Sequence, residues 1–226
     1  MLIAAAVCPH PPVLFPEIAQ GAAPDLDGLR AACDRAVARL GDARAERLVV
    51  VGRGPAERRF GPDAGGDLAD FGLALGVGPA PAVLDMAATT GRWLAERVGL
   101  TPDGYLEVPA DTAPERAAVL GAEIAGSAER VALLVTGDGS ARRTEHSPGR
   151  VDDRAVPHDD AVAEALAAAD QARLAALDPV LAGDLMVAGR AAWQVLAGAA
   201  AGASLTGELL AYEAPYGVGY FVAAWT

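Results

Sequence analysis

Residues 131–143, VALLVTGDGSARR, constrain the fold more than any other stretch of the chain. Five apolar residues, Val131 to Val135, make a short buried-strand run, and Thr136-Gly137-Asp138-Gly139-Ser140 then turns the chain sharply. Gly137 and Gly139 permit positive φ or close backbone approach, which frees backbone N–H groups and the Ser140 hydroxyl to face a ligand. Arg142 and Arg143 follow at once. In an open α/β sheet ligands bind outside the carboxyl ends of the strands, which is where this loop belongs.

The remaining segments supply the rest of such a sheet. Leu2–Val7 reads as a buried strand stopped by Cys8-Pro9-His10-Pro11-Pro12, and Arg47–Val51 as a second strand breaking into Gly52-Arg53-Gly54-Pro55. Helical spacing over Asp25–Leu40 predicts the helix between them, Gly41 ending it. Residues 60–78 are glycine-rich and predict an irregular or hairpin excursion. A short strand at Ala82–Leu84 and a helix over Asp85–Val98 follow, then a turn and edge segment at Thr101–Val108. A helix over Thr112–Gly126 opens on Asp111 or Thr112 as its cap. Beyond the central strand, Glu145–His158 predicts a long surface loop, and Asp159–Leu174 and Pro179–Ala200 two alanine-rich helices, with Trp193 in the core. Leu205–Glu213 and Gly217–Trp225 have the pattern of an antiparallel pair. The expectation is one α/β domain over residues 1–226: a mostly parallel central sheet, helices on both faces, and an antiparallel C-terminal strand pair.

Composition narrows the partners. The formal charge of -12 and a pI near 4.6 argue against nucleic acid or an anionic membrane as general partners. All 18 basic residues are arginine, which excludes lysine Schiff-base and P-loop chemistry. Aromatic residues are only 5% of the chain, so alanine-rich helices are expected to pack closely on the sheet. Two cysteines, Cys8 and Cys33, make no disulfide framework, and Cys8 reads as a small buried hydrophobe. The apolar run at the start has no basic region before it and is cut short by prolines. The expectation is therefore a cytoplasmic protein that neither spans a membrane nor carries a signal peptide. A homo-oligomer is left open.

Three strand-end loops carry the candidate chemistry. Prolines at 9, 11 and 12 hold His10 in a rigid loop, either as a ligand or acid–base group or as a side chain that closes the turn through the backbone. Arg53 follows the second strand, and Asp138, Ser140, Arg142 and Arg143 the central one. If these strands are parallel neighbours, an imidazole and several guanidiniums converge, suited to a small carboxylate or phosphate. The competing reading is that Asp138, Asp152 and Asp153 neutralise the arginines internally.

The Pro-His-Pro-Pro strand end, the Gly-Asp-x-Ser turn followed by arginine, and the closing Tyr-Glu…Tyr-Gly-Val hairpin together resemble the class III extradiol ring-cleavage dioxygenase catalytic-subunit superfamily. That superfamily includes the protocatechuate 4,5-dioxygenase β subunit and the Memo-like proteins. The resemblance spans nearly the whole chain in element order. It implies a non-haem Fe(II) held by two histidines and a carboxylate, a further histidine as acid–base, and an aromatic-acid substrate. His10 matches the first ligand and Glu213 the carboxylate. The second ligand position falls in Gly52–Pro55, which has no histidine, and the acid–base position is Ala141.

His10 and Glu213 alone would leave iron weakly held, since a facial triad needs three ligands and arginine cannot serve as one. His146 and His158, on the predicted loop, are the only replacements. No cofactor is therefore expected, although the family implies Fe(II). Three readings stand: a metal-free relative binding a small anionic or aromatic-acid ligand through Arg53, Arg142 and His10; an active dioxygenase with a rearranged site; and a structural or partner-binding subunit.

Overall fold

Side chains of the central strand, Val131–Thr136, divide between two cores: Val131, Leu133 and Val135 on one side, Ala132 and Leu134 on the other. This is the period-two alternation of a strand buried on both faces, and it explains why the run is apolar throughout. The computed structural model describes all of residues 1–226.

In chain order the elements are β1 (Leu2–Cys8), α1 (Pro16–Ala19), α2 (Asp27–Asp42), β2 (Arg47–Arg53), β3 (Arg58–Phe60), β4 (Gly66–Asp67), β5 (Gly76–Val77), α3 (Met86–Arg97), β6 (Gly104–Val108), α4 (Pro114–Ala125) and β7 (Val131–Thr136). They continue with α5 (Ala155–Ala167), α6 (Gln171–Ala175), α7 (Pro179–Asp184), α8 (Arg190–Ala199), β8 (Gly207–Glu213) and β9 (Tyr220–Trp225). The main sheet has seven strands in the order β3-β6-β2-β7-β1-β9-β8. β6, β2, β7 and β1 run parallel, while β3 at one edge and β9 and β8 at the other are antiparallel. Helices α2 and α3 cover one face; α4, α5 and α8 cover the other. Both faces are closed, and an antiparallel C-terminal pair flanks a parallel centre, as the sequence pattern predicts; the antiparallel β3 at the other edge is not foreseen by it.

The structure moves several boundaries. Thr101–Val108 is no edge: β6 is wholly buried, between β2 and β3. Its Glu107 suggests an exposed strand but is neutralised by Arg58 of β3. Ala82–Leu84 makes one isolated bridge, Gly65 to Ala82, rather than a strand. The 112–126 helix starts at Pro114 with no side-chain cap, because the Thr112 hydroxyl donates to the Pro109 carbonyl instead. The helix predicted from Asp25 is α2, which begins at Asp27 after a 3-10 segment over Gln20–Leu26.

Each of the two long alanine-rich helices is broken in two, at Ala169 (φ 49°) and Met186 (φ 55°). Alanine runs give no warning of such breaks. Trp193 is fully buried in the core, as are Cys8 and Cys33. No helix is long and apolar enough to cross a membrane.

Candidate functional site

The ends of β1, β7 and β2 lie side by side, because β7 pairs in parallel with both of the others. Each chain leaves the sheet there in a short loop, and the three loops bring His10, Asp138 and Arg53 onto one cavity of about 350 Å³. Pro12, Gly54, Pro55 and the start of α3 (Asp85, Met86 and Ala87) complete its wall. Of the six residues picked from the strand-end loops, these three share one cavity.

Asp138 anchors the arrangement. Its Oδ1 accepts the His10 backbone N–H at 2.8 Å and lies 3.4 Å from His10 Nδ1. The backbone of His10 therefore closes the turn, and its ring is left to line the cavity. Burial pushes the Asp138 carboxyl above its ordinary range, partly offset by the His10 ring and N–H. The same carboxylate helps to hold the buried Tyr220 phenol above its usual range, after burial itself.

Arg53 is the free cation of the site. It is exposed, and none of the chain's ion pairs involves it. Opposite it, Asp85 caps α3: its Oδ1 accepts the Met86 N–H at 2.8 Å, and its own N–H donates to Glu107 Oε1 at 2.6 Å. The positive end of the α3 dipole therefore faces the same space. Glu107 is fully buried, and Arg58 Nε donates to its Oε2 at 2.9 Å. Gly54 exists to clear it, since a Cβ there would lie 2.7 Å from Glu107 Oε2.

The other residues of the Gly-Asp-Gly-Ser loop do not reach the cavity. Ser140 is buried, its hydroxyl donating to the Leu185 carbonyl at 2.8 Å and its N–H to Asp159 Oδ1 at 2.9 Å. Arg143 turns inward, donating to Asp159 Oδ2 at 2.8 Å and to the Tyr212 hydroxyl at 2.6 Å. Burial opposes its charge, but these two partners outweigh that and hold its pKa up. Arg142 does not line the cavity either.

Nor do the glycines supply free amides: Gly54 N–H donates to Val108, Gly137 to Cys8 and Gly139 to Gly219. Gly139 serves close packing, since a Cβ there would lie 2.8 Å from Asp159 Oδ1, and neither it nor Gly137 has positive φ. The internal-neutralisation reading also changes partners: Arg143 is held by Asp159, and Asp152 pairs with Arg154.

An iron centre does not fit these residues. Glu213 is exposed on the far edge strand β8 and does not line the His10 cavity. His146 is exposed on the loop, whereas His158 is no loop residue: it is buried in the first turn of α5, 3.4 Å from Asp159. No three His, Cys, Asp or Glu side chains come together as a ligand group.

Sequence reading missed Asp85, Glu107 and Asp159. Asp85 before a helical run is a readable cap signal, but nothing local ties Glu107 or Asp159 to the strand-end loops.

No protein-family profile matches this chain, and no curated protein matches it in sequence. Among solved structures, the crystal structure of the uncharacterized protein JW3007 from Escherichia coli K12 is similar over 99% of each chain, with a TM-score of 0.56 and 12% identity. The α/β fold is shared with that protein.

Proposed function

We propose that this chain is a divergent extradiol-dioxygenase-like protein whose strand-end cavity binds a small anionic ligand and does not open aromatic rings. The observation that carries the reading is Arg53: an unpaired guanidinium on a cavity that also holds the His10 ring and the start of α3. A guanidinium fork and a helix N-terminus both favour an anion. The two carboxylates on the wall are each partly satisfied, Asp138 by the His10 N–H and Asp85 by the Met86 N–H. Support against ring cleavage comes from Arg53 itself, which stands in the loop where the family resemblance expects a ligand histidine.

Thermal unfolding in acetate, propionate or phosphate tests the proposal. A ligand bound only by the native state at a hundredfold excess over Kd contributes about 2.7 kcal/mol, or roughly 5–10 °C for a chain of this size. Arg53→Ala should abolish the shift while leaving the unliganded Tm within about 1–2 °C, as for an exposed side chain away from the core. No anion-dependent shift in the native protein overturns the proposal.

A further inference from the structure

We infer that the ligand of this cavity is an aliphatic hydroxycarboxylate, its carboxylate on Arg53 and its hydroxyl donating to Asp138; this rests on the anion-binding reading above. Asp138 has two acceptor oxygens and only one is used: Oδ1 takes the His10 N–H, and Oδ2 accepts nothing from the protein. That oxygen opens on the cavity with spare acceptor capacity, which a ligand hydroxyl can fill and a bare carboxylate, with no donor at neutral pH, cannot. The ring of His10 lies beside it, with Nδ1 turned to Asp138 and Nε2 without a protein partner. A second polar atom on the ligand thus has two groups to meet.

The spacing suits a short molecule. Arg53 ends β2 and Asp138 follows β7, which are adjacent parallel strands, and both side chains line one cavity of about 350 Å³. A carboxylate and a hydroxyl one or two carbons apart can bridge groups so placed.

The wall also argues for an aliphatic skeleton. No Phe, Tyr or Trp lines the cavity, and its apolar surface comes mainly from Met86, Ala87 and the rings of Pro12 and Pro55. An aromatic acid would find a cation for its carboxylate but no large aromatic face to stack on, only the His10 imidazole.

Matched pairs of acids test this by calorimetry on the native protein: lactate against propionate, malate against succinate, and 4-hydroxybenzoate as the aromatic probe. The hydroxy acid of each aliphatic pair should bind about tenfold more tightly, the value of one charge-assisted hydrogen bond. Asp138→Asn should reduce the lactate-to-propionate preference to about threefold or less, with circular dichroism confirming the fold. Equal affinity for lactate and propionate overturns this inference and leaves the anion pocket standing. Tighter binding of 4-hydroxybenzoate or phosphate than of lactate also overturns it. No binding of any acid overturns the anion-binding reading itself.

Discussion

Arg143 reaches from the loop after β7 to Asp159 in α5, Nη1 to Oδ2 at 2.8 Å, and with that bond the loop is fixed to the helix behind it. Asp159 holds the Ser140 N–H with its other oxygen, and Gly219 packs against it. Its carboxylate is fully buried and the Arg143 side chain is 13% exposed, so the pair is largely shielded from water.

Removing one partner is therefore costly. Asp159→Ala should destabilise the chain by about 3–5 kcal/mol, the range for breaking a buried pair from one side. Urea unfolding measures it. A loss below about 1 kcal/mol would mean that the pair is no anchor.

Gly54 faces Glu107 at the rim of the cavity. A methyl group there would lie 2.7 Å from the Glu107 Cβ, which is fixed backbone-proximal structure and not a flexible tip. Gly54→Ala should cost about 1–3 kcal/mol by overpacking and lower the affinity for whatever anion Arg53 holds. An unchanged Tm would show that β2 and β6 can spread at this point.

Glu107 also sets a pH dependence. Burial pushes its carboxyl above the ordinary 4.5, outweighing the Asp85 N–H and Arg58. A native pKa above the unfolded one means that the folded chain keeps this proton longer. The group's contribution is then fullest below the unfolded pKa and is lost as pH rises through the native one. Between about pH 4 and 6, the wild-type stability minus that of Glu107→Gln should fall with rising pH. A difference that is flat or rises across this window rejects the assignment.

Iron provides a further check. Protein expressed with added iron and purified untagged should carry well under one iron per chain by elemental analysis, and protocatechuate should yield no coloured ring-opening product. Stoichiometric iron together with that product would reinstate an active dioxygenase.

The parts of this architecture readable from the sequence are those whose signal is local. β1, β2 and β7 are buried on both faces and so announce themselves as unbroken apolar runs. β6 is equally buried but carries Glu107, whose partner Arg58 sits on a three-residue strand too short to recognise. Its interior position was therefore illegible. His10, Arg53 and Asp138 were legible as strand-end residues, because parallel strands must bring their carboxyl ends together. Where Arg142 and Arg143 point was not, since that depends on Asp159, a helix residue with no local mark. Glu213 was placed by resemblance alone, and the edge position of β8 removes it from the cavity.

The strand order has a consequence for how the chain is made. β1 is hydrogen-bonded on one side to β7 and on the other to β9, so both its partners are translated more than 120 residues after it. β1 therefore stays open-edged until residues 131–136 appear, and is sealed only when residues 220–225 do. Over that interval an apolar ribbon, Leu2–Cys8, is available to other nascent chains. A stop codon before Tyr220 would leave its β9 edge open for good, with an insoluble product expected.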